Sequence, residues 1–543
     1  MRISFLMLAM SAILLSCSGK KPADLVVHNA HIYTVDENFS TAEALAVKDG
    51  RILASGTNKE ILDGYEGAEV IDAGGKFLYP GFIDAHCHFY AYGLGLQTVN
   101  LVGTDSWSAI LDSLKSFAVR YPEGWLVGRG WDQNDWQAKE FPTNDELNKL
   151  FPDRPVILSR IDGHAAIANN KALALAGVKA GDKMTGGEVE VKNGVATGLL
   201  IDNAVDRVAA VIPAPGADQV RSALLSAEAN CFAVGLTTVD DCGLDYTNVE
   251  FIDSLQKKGD LQMRVYAMLS DAKRNYDYIL PKGPIKTERL TVRGFKVYAD
   301  GALGSRGACL LKPYSDKPGH YGFLLSDREH FDSVAALLAP TDFQMCTHAI
   351  GDSGNRTVLN IYAKYLKGKN DKRWRIEHAQ VVDPADFSLF GNFNIVPSVQ
   401  PTHATSDMYW AGERLGKERE KTAYAYNDLL KQNNWIALGT DFPVEDISPF
   451  KTFYAAVVRK DSKGYPAEGY QVENSLSREN TLKGMTIWAA QSNFEEKEKG
   501  SIEKGKLADF ILLDQDLMKV APDSILSTRV LRTVLGGKSV FVR

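Results

Sequence analysis

Short apolar runs alternate with amphipathic, helix-like segments over most of the 543 residues of the chain. Eight of these runs are rich in apolar and β-branched residues and are too short for helices, so they predict buried strands. They cover residues 83–86, 236–239, 263–269, 291–297, 343–347, 374–376, 394–397 and 436–439. Because strands that alternate with helices favour a parallel sheet, the pattern predicts an α/β fold with a (β/α)8 barrel of the TIM type.

Both ends of the chain show a different pattern. Between residues 24 and 79, short β-rich runs are separated by turn residues, and Lys48-Asp49-Gly50-Arg51 is the clearest hairpin turn. The same pattern returns between residues 491 and 543. We expect these two parts to form one composite β-sandwich beside a barrel domain that spans residues 80–490.

The stretch from about residue 100 to residue 235 is too long for a single connection between neighbouring barrel strands. It predicts an insertion over the mouth of the barrel, in which Trp131, Asp132 and His164 are candidates for substrate contact. The alternative is that these side chains pack or cap locally within the insertion.

The first 17 residues predict an export signal. Met1-Arg2 precedes an apolar run, residues 3–15, that is too short for a permanent membrane helix. Leu14-Leu15-Ser16-Cys17 resembles the bacterial lipobox, whose cysteine becomes the lipidated first residue, and residues 18–23 follow as a tether. We expect an exported protein that a lipid anchor alone holds on the periplasmic or outer side of a bacterial membrane. The alternative is a plain secretory signal with an incidental cysteine.

Composition and charge narrow the choice of partners. The net charge of −7 and the absence of a local Lys/Arg run argue against a DNA or RNA partner. Of the six cysteines, the five beyond Cys17 have no short paired spacing and predict no disulfide framework. We therefore expect no nucleic-acid partner, and a homo-oligomer stays open.

Candidate metal ligands lie where the predicted strands end. His86 and His88 leave the first strand on one face, because side chains alternate along a strand, and such a pair of imidazoles suits zinc. His348, His378 and Asp441 follow the fifth, sixth and eighth strands. A single histidine at a strand end is more often a satisfied polar residue. Their repetition on the face where such barrels carry their sites predicts a metal centre.

Lys296 lies inside the fourth predicted strand, among apolar residues. Burying a lysine is costly unless the amine is paired or deprotonated, so an inward side chain needs a reason. Coordination of a metal supplies one. The alternative is an outward Lys296 that pairs with a carboxylate such as Asp300.

The motifs together resemble the amidohydrolase superfamily, and within it the family 3 branch that contains N-substituted formamide deformylases and similar extracytoplasmic amidohydrolases. The matching stretches are PGFIDAHCH at 80–88, FK at 295–296, ADGALGSR at 299–306, THAIGD at 347–352, RIEHA at 375–379, QPTH at 400–403, GTDFPV at 439–444 and GKLAD at 505–509.

This resemblance implies a (β/α)8 barrel, a composite β-sandwich and two divalent metal ions, with zinc favoured. The implied ligands form two sets and a bridge: His86, His88 and Asp441 for one ion, His348 and His378 for the other, and a carboxylated Lys296 between them.

The chemistry implied is hydrolysis by metal-activated hydroxide, because a bound ion lowers the pKa of water to roughly 7 and polarises a carbonyl. Asp441 would take the proton and pass it to the leaving nitrogen. The substrate would be a small amide or N-formyl compound with a non-peptide C–N bond. His164 or His403 could stabilise the oxyanion, although either could equally be structural.

Two other functions stay open at this point. Lactone or phosphoester hydrolysis could use the same metal site, because fold and metal do not fix the substrate. A non-catalytic, lipid-anchored binding protein is the other, but it would need neither a metal bridge at Lys296 nor a proton shuttle at Asp441.

The signal sequence generates a test of localisation. Cys17→Ser removes the only sulfur that the lipobox could lipidate, so the expressed full chain should lose its membrane fraction. Immunoblots of membrane and soluble fractions measure this, and a variant that still sediments with membranes would disprove the anchor.

Overall fold

The computed structural model describes residues 19–543. Cys17 and the preceding signal lie outside these described residues, so the expected lipid anchor stays a prediction. Within residues 19–543, no helix combines the length and the apolar character that crossing a membrane requires.

All eight predicted runs form strands of one parallel sheet in which neighbours in the chain are neighbours in space. The barrel strands are Phe82–Cys87, Leu236–Leu244, Arg264–Ser270, Leu290–Tyr298, Gln344–Ala349, Arg375–His378, Val396–Val399 and Ala437–Leu438. A two-residue strand, Ile285–Lys286, flanks the fourth. The predicted fold class is confirmed.

The barrel closes where the eighth strand meets the first. The amide of Asp441 donates to the carbonyl of His86 at 2.8 Å, and the amide of His88 donates to the carbonyl of Phe442 at 2.8 Å. No side chain fits at Gly439, because a Cβ there would lie 2.5 Å from the His86 amide nitrogen. Backbone contact at this seam thus brings the ends of the first and last strands together.

The interior of the barrel is filled below its C-terminal end. Arg375 is fully buried and donates from Nη1 to Asp240 Oδ2 at 3.0 Å, while Asn493 donates to Asp240 Oδ1 at 2.6 Å. This buried ion pair fills the interior of the barrel. The C-terminal mouth is therefore the face that can carry a site.

Both chain ends contribute to the β-sandwich. One sheet contains Lys21–His28, Ala44–Lys48, Arg51–Gly56 and Tyr65–Asp72, with a tight turn at Asp49–Gly50 as expected. The other contains His31–Tyr33, Thr41–Ala42, Phe77–Pro80, Phe510–Leu513, Val530–Leu535 and Lys538–Val542. Phe77–Pro80 pairs in parallel with His31–Tyr33 and antiparallel with Phe510–Leu513, which joins the two ends of the chain.

The insertion between the first and second barrel strands has a sheet and a core of its own. Its strands are Val99–Asn100, Leu126–Trp131, Val156–Arg160, Ala165–Ala168, Gly187–Lys192 and Val195–Asp202. Trp131 is fully buried in that core and donates from Nε1 to the Leu158 carbonyl at 2.7 Å. The suggestion that Trp131 reaches the substrate is therefore wrong, since its ring packs inside the insertion.

Helices connect strands in the barrel, in the insertion and in the first part of the β-sandwich. The α-helices are Asn58–Gly64, Phe89–Gly95, Trp107–Arg120, Asp145–Leu150, Asn170–Leu175, Asn203–Ala209, Ala217–Ala233, Tyr246–Lys258, Lys273–Ile279, Arg328–Leu338, Asp352–Leu366, Phe387–Phe393, Pro401–Asp407, Ala411–Leu415, Lys417–Glu420, Tyr426–Asn433, Pro449–Val458, Arg478–Gly484 and Ile487–Ser492. Short 3-10 turns cover Gln133–Asp135, Val472–Asn474 and Pro522–Ser527. All five cysteines of the described chain are free.

Candidate metal centre

The predicted ligands meet at the C-terminal mouth of the barrel. His88 Nε2 lies 3.1 Å from Asp441 Oδ1, and His86 Nε2 lies 3.6 Å from the same oxygen. The rings of His348 and His378 are 4.6 Å apart, and the His378 ring is 4.8 Å from that of His86. Strands that are far apart in the sequence thus contribute to one cluster of donor atoms.

Lys296 points into this cluster. Its side chain is buried, and Nζ lies 3.1 Å from His86 Nε2. The alternative of an outward pair with Asp300 is wrong. Asp300 instead accepts backbone N–H groups from Cys309, Ile350 and Gly351 at 2.8–2.9 Å, and so it organises the loops behind the site.

Neighbouring polar groups fix the orientation of three imidazoles. His86 Nδ1 lies 2.6 Å from Glu377 Oε2, and His88 Nδ1 lies 3.0 Å from the Cys242 carbonyl. His378 Nδ1 lies 2.7 Å from Gln400 Oε1. Such partners at Nδ1 leave Nε2 of His86 and His88 available as a ligand atom. The sequence arguments missed Glu377 and Gln400, although a glutamate inside a buried strand was a usable signal.

Burial and charge set the protonation states that ligands need. Burial and the nearby Lys296 ammonium lower the pKa of His86 to about 4, and burial lowers those of His348 and His378 well below the usual range. Burial raises the pKa of Asp441, but His86, His88 and His378 outweigh it and hold that pKa well below its usual range. The centre therefore offers neutral imidazoles and an ionised carboxylate, the forms that bind metal.

The donor set fits divalent metal ions. Two triads have ligand atoms within 4.8 Å of one another, His86 with His88 and Asp441, and His378 with His403 and Asp441. Buried His348 Nε2, His403 Nε2 and Asp441 Oδ1 have no hydrogen-bond partner within the described chain. Unpaired buried donors and acceptors are costly, and imidazole nitrogens with a carboxylate oxygen suit zinc-like ions.

His403 also lies at the mouth of the barrel, next to Asp441. It lies on the helix Pro401–Asp407, and its Nε2 is 3.5 Å from Asp441 Oδ2. This proximity makes His403 a further candidate ligand as well as a candidate for contact with the substrate oxygen. Its catalytic role stays a prediction.

Two of the candidate ligand residues have left-handed backbone conformations. His378 has φ of 76° and Asp441 has φ of 64°. For residues other than glycine such conformations cost about 1–3 kcal/mol, and they persist where the surroundings hold them. At Asp441 the holding contacts are the hydrogen bonds of the barrel seam.

The insertion contributes His164 to the same mouth, as expected. Its ring lies 5.0 Å from that of His348, and its Nδ1 lies 2.6 Å from Asp202 Oδ1. Asp202 was missed because it lies 38 residues further along the chain. Asp132, by contrast, caps a local turn through Asn134 and pairs with Arg160, so it has a structural role.

Comparisons with known proteins show similarity along nearly the whole chain. A protein-family model with the description "Amidohydrolase family" matches residues 69–541. Protein LONG AFTER FAR-RED 3 of Arabidopsis thaliana is 34% identical over 96% of this chain and 92% of its own length. N-substituted formamide deformylase of Arthrobacter pascens is 26% identical over 95% of this chain and 97% of its own length.

A solved structure is also similar along nearly the whole chain. The uncharacterized metal-dependent hydrolase from Pyrococcus horikoshii OT3 has a TM-score of 0.75 and 28% identity, with 92% of this chain and 99% of that chain covered. The family model covers far more than half of the sequence. The chain therefore belongs to the amidohydrolase family.

Proposed function

We propose that this protein is a metal-dependent hydrolase that cleaves a non-peptide C–N bond in a small amide or N-formyl compound. The observation that carries the proposal is the convergence of buried imidazoles, Asp441 and Lys296 at the barrel mouth. Family membership and the named metal-dependent hydrolase support the hydrolase class. The N-substituted formamide deformylase supports the C–N bond as the target.

His86, His88 and Asp441 would hold one ion and His348 and His378 a second, with zinc favoured and His403 within reach of the site. Divalent ions at such a site lower the pKa of water and polarise a carbonyl oxygen. Asp441, an ionised carboxylate, can accept a proton from the attacking water and return it to the leaving nitrogen. His164, held by Asp202, faces the same space and can donate a hydrogen bond to the substrate oxygen.

Lys296 would react as a neutral amine with carbon dioxide, lose one proton, and carry the resulting carbamate on Nζ as the proposed bridging ligand. Burial lowers the pKa of Lys296, but Tyr298, Cys242, Glu377 and Asp441 raise it above its usual value. The metal-free centre thus favours the ammonium, while carboxylation needs the neutral amine. We infer that entry of the ions, which repel an ammonium, and carboxylation of Lys296 occur together.

We further propose that the protein acts outside the cytoplasm as a lipoprotein, because residues 14–17 resemble a lipobox.

A substrate panel tests the reaction itself. Purified, metal-loaded protein should hydrolyse N-formyl amines or other small amides faster than lactones or phosphoesters. Faster hydrolysis of lactones or phosphoesters would contradict the proposed amide hydrolysis and favour an esterase of that kind. Full metal content without turnover of any substrate would favour a binding protein.

If Asp441 transfers the proton, the Asp441→Asn variant should lose most of its turnover. Asparagine keeps the shape and one ligand oxygen but cannot accept the proton, so kcat should fall by at least ~10²-fold. Metal content and the circular dichroism spectrum should stay close to those of the parent protein. An undiminished kcat would remove Asp441 from proton transfer.

The bridge predicts the behaviour of Lys296→Ala. This variant should lose one metal equivalent and most activity, and added formate or propionate should restore part of both because a small carboxylate can replace the carbamate. Metal analysis and kinetics with and without the carboxylate measure the effect.

The matched control is Lys499→Ala, since Lys499 is also buried but pairs with Glu495 at 2.7 Å, outside the centre. It should lower stability without changing metal content or responding to carboxylates. Full metal content and activity in unsupplemented Lys296→Ala would exclude the bridge.

A further inference from the structure

Arg129 is a half-buried arginine that has no counter-ion within the described part of the chain. It lies in the insertion strand Leu126–Trp131 and donates from Nη2 to the Ile161 carbonyl at 2.8 Å. Its Nε is buried and has no hydrogen-bond partner, and no carboxylate of residues 19–543 forms an ion pair with it. A guanidinium always carries its charge, so this arrangement is costly unless another anion completes it.

Arg160, on the neighbouring strand, shows how the same insertion satisfies a structural arginine. Arg160 pairs with Asp132 and with Asp162, the latter at 2.6 Å, and donates from Nε to Gln133 at 2.8 Å. Both carboxylates are thus committed to Arg160. Arg129 differs because, within residues 19–543, its side chain donates to a single backbone carbonyl.

Arg129 lies beside the barrel mouth. A Cβ on Gly163 would lie 3.1 Å from Arg129 Nη1, and the next residue, His164, has its ring 5.0 Å from that of His348. Burial lowers the pKa of Arg129, and the charges of Asp162 and Asp441 oppose that effect. The guanidinium therefore lies against Gly163, one residue before the imidazole that the insertion contributes to the barrel mouth.

We propose that Arg129 binds a carboxylate of the substrate, which makes the substrate an acidic N-acyl or N-formyl compound. The inference deepens the proposed function and rests on it. A planar guanidinium with free donors matches a carboxylate in shape and charge, and a bound carboxylate would satisfy the orphaned Nε. The ligand would place its amide at the metal centre and its acid group against the insertion.

Matched substrates test the proposal. N-formylglycine and N-formylglycinamide differ only in carboxylate against carboxamide, and the β-alanine and 4-aminobutyrate homologues extend the reach. For at least one chain length, the parent protein should show kcat/KM at least about 10-fold higher for the acid. Equal values for every acid and amide pair would overturn the proposal without any variant.

Arg129→Gln keeps a donor for the Ile161 carbonyl but removes the charge. It should lower the acid-to-amide ratio about 10- to 100-fold while the amides keep their kcat/KM. Arg129→Lys keeps the positive charge but loses the planar, two-pronged guanidinium, so it should give an intermediate acid-to-amide ratio. This variant can also replace Arg129→Gln in the test if the Gln variant does not fold. An unchanged ratio in either folded variant would overturn the proposal.

The control is Arg154→Gln on the same insertion. Arg154 donates to the carbonyls of Glu123 and Gly124, both at 2.7 Å, at the opposite end of the strand that carries Arg129. It makes the same change in net charge and should leave the acid-to-amide ratio unchanged. If Arg154→Gln lowered the acid-to-amide ratio as much as Arg129→Gln does, the effect would come from net charge in general, and a specific carboxylate site at Arg129 would be excluded.

Equilibrium binding separates this inference from the proposed reaction. Succinate and succinamate share one carboxylate for the metal centre, and succinate alone has a second for Arg129. Calorimetry should show tighter binding of succinate to the metal-loaded parent protein and similar binding of both to Arg129→Gln. If no amide is hydrolysed but this difference is found, the reaction fails and the carboxylate site stands. If both bind alike to the parent protein, the site fails.

Discussion

The whole centre depends on a buried carboxylate, Asp441, that the closure of the barrel holds among imidazoles. Two backbone hydrogen bonds join Asp441 and Phe442 to His86 and His88, and Thr440 binds Asp84 through both its amide and its hydroxyl at 3.0 and 2.7 Å. These contacts close the barrel and keep the Asp441 backbone in its left-handed conformation. The fold therefore places an ionised carboxylate among imidazoles, a donor set that suits a divalent cation.

Much of this could be predicted from the sequence because the signals were local. Each barrel strand is an apolar run with its own boundaries, and the rule that such barrels carry their sites at the C-terminal strand ends turned isolated histidines into one cluster. The direction of Lys296 was also predictable, since a lysine inside a buried strand has few stable alternatives.

The parts that could not be predicted depend on how separate elements pack. His403 approaches Asp441 because the helix Pro401–Asp407 turns back over the mouth, and no periodicity in the sequence reports that direction. Asp202 meets His164 through the pairing of two insertion strands. Trp131 looked like a substrate contact next to Asp132, but the register of its strand turns the ring into the insertion core.

The insertion adds polar side chains beside the mouth of the barrel. The barrel supplies the ligand cluster, whereas the insertion supplies His164 and a guanidinium whose charge is not balanced within the described chain. If His164 and Arg129 contact the substrate as proposed, substitutions in the insertion would change specificity without changing the candidate ligands of the barrel.

Anomalous X-ray diffraction at the zinc absorption edge, on crystals of protein loaded with zinc and freed of excess metal, tests the central claim most directly. We expect one peak within about 2.0–2.2 Å of the ligand atoms of His86, His88 and Asp441, and a second beside His348 and His378. Electron density that continues from Lys296 Nζ should show a carboxyl group between the two peaks. A zinc-loaded crystal without an anomalous peak among these residues would contradict the account.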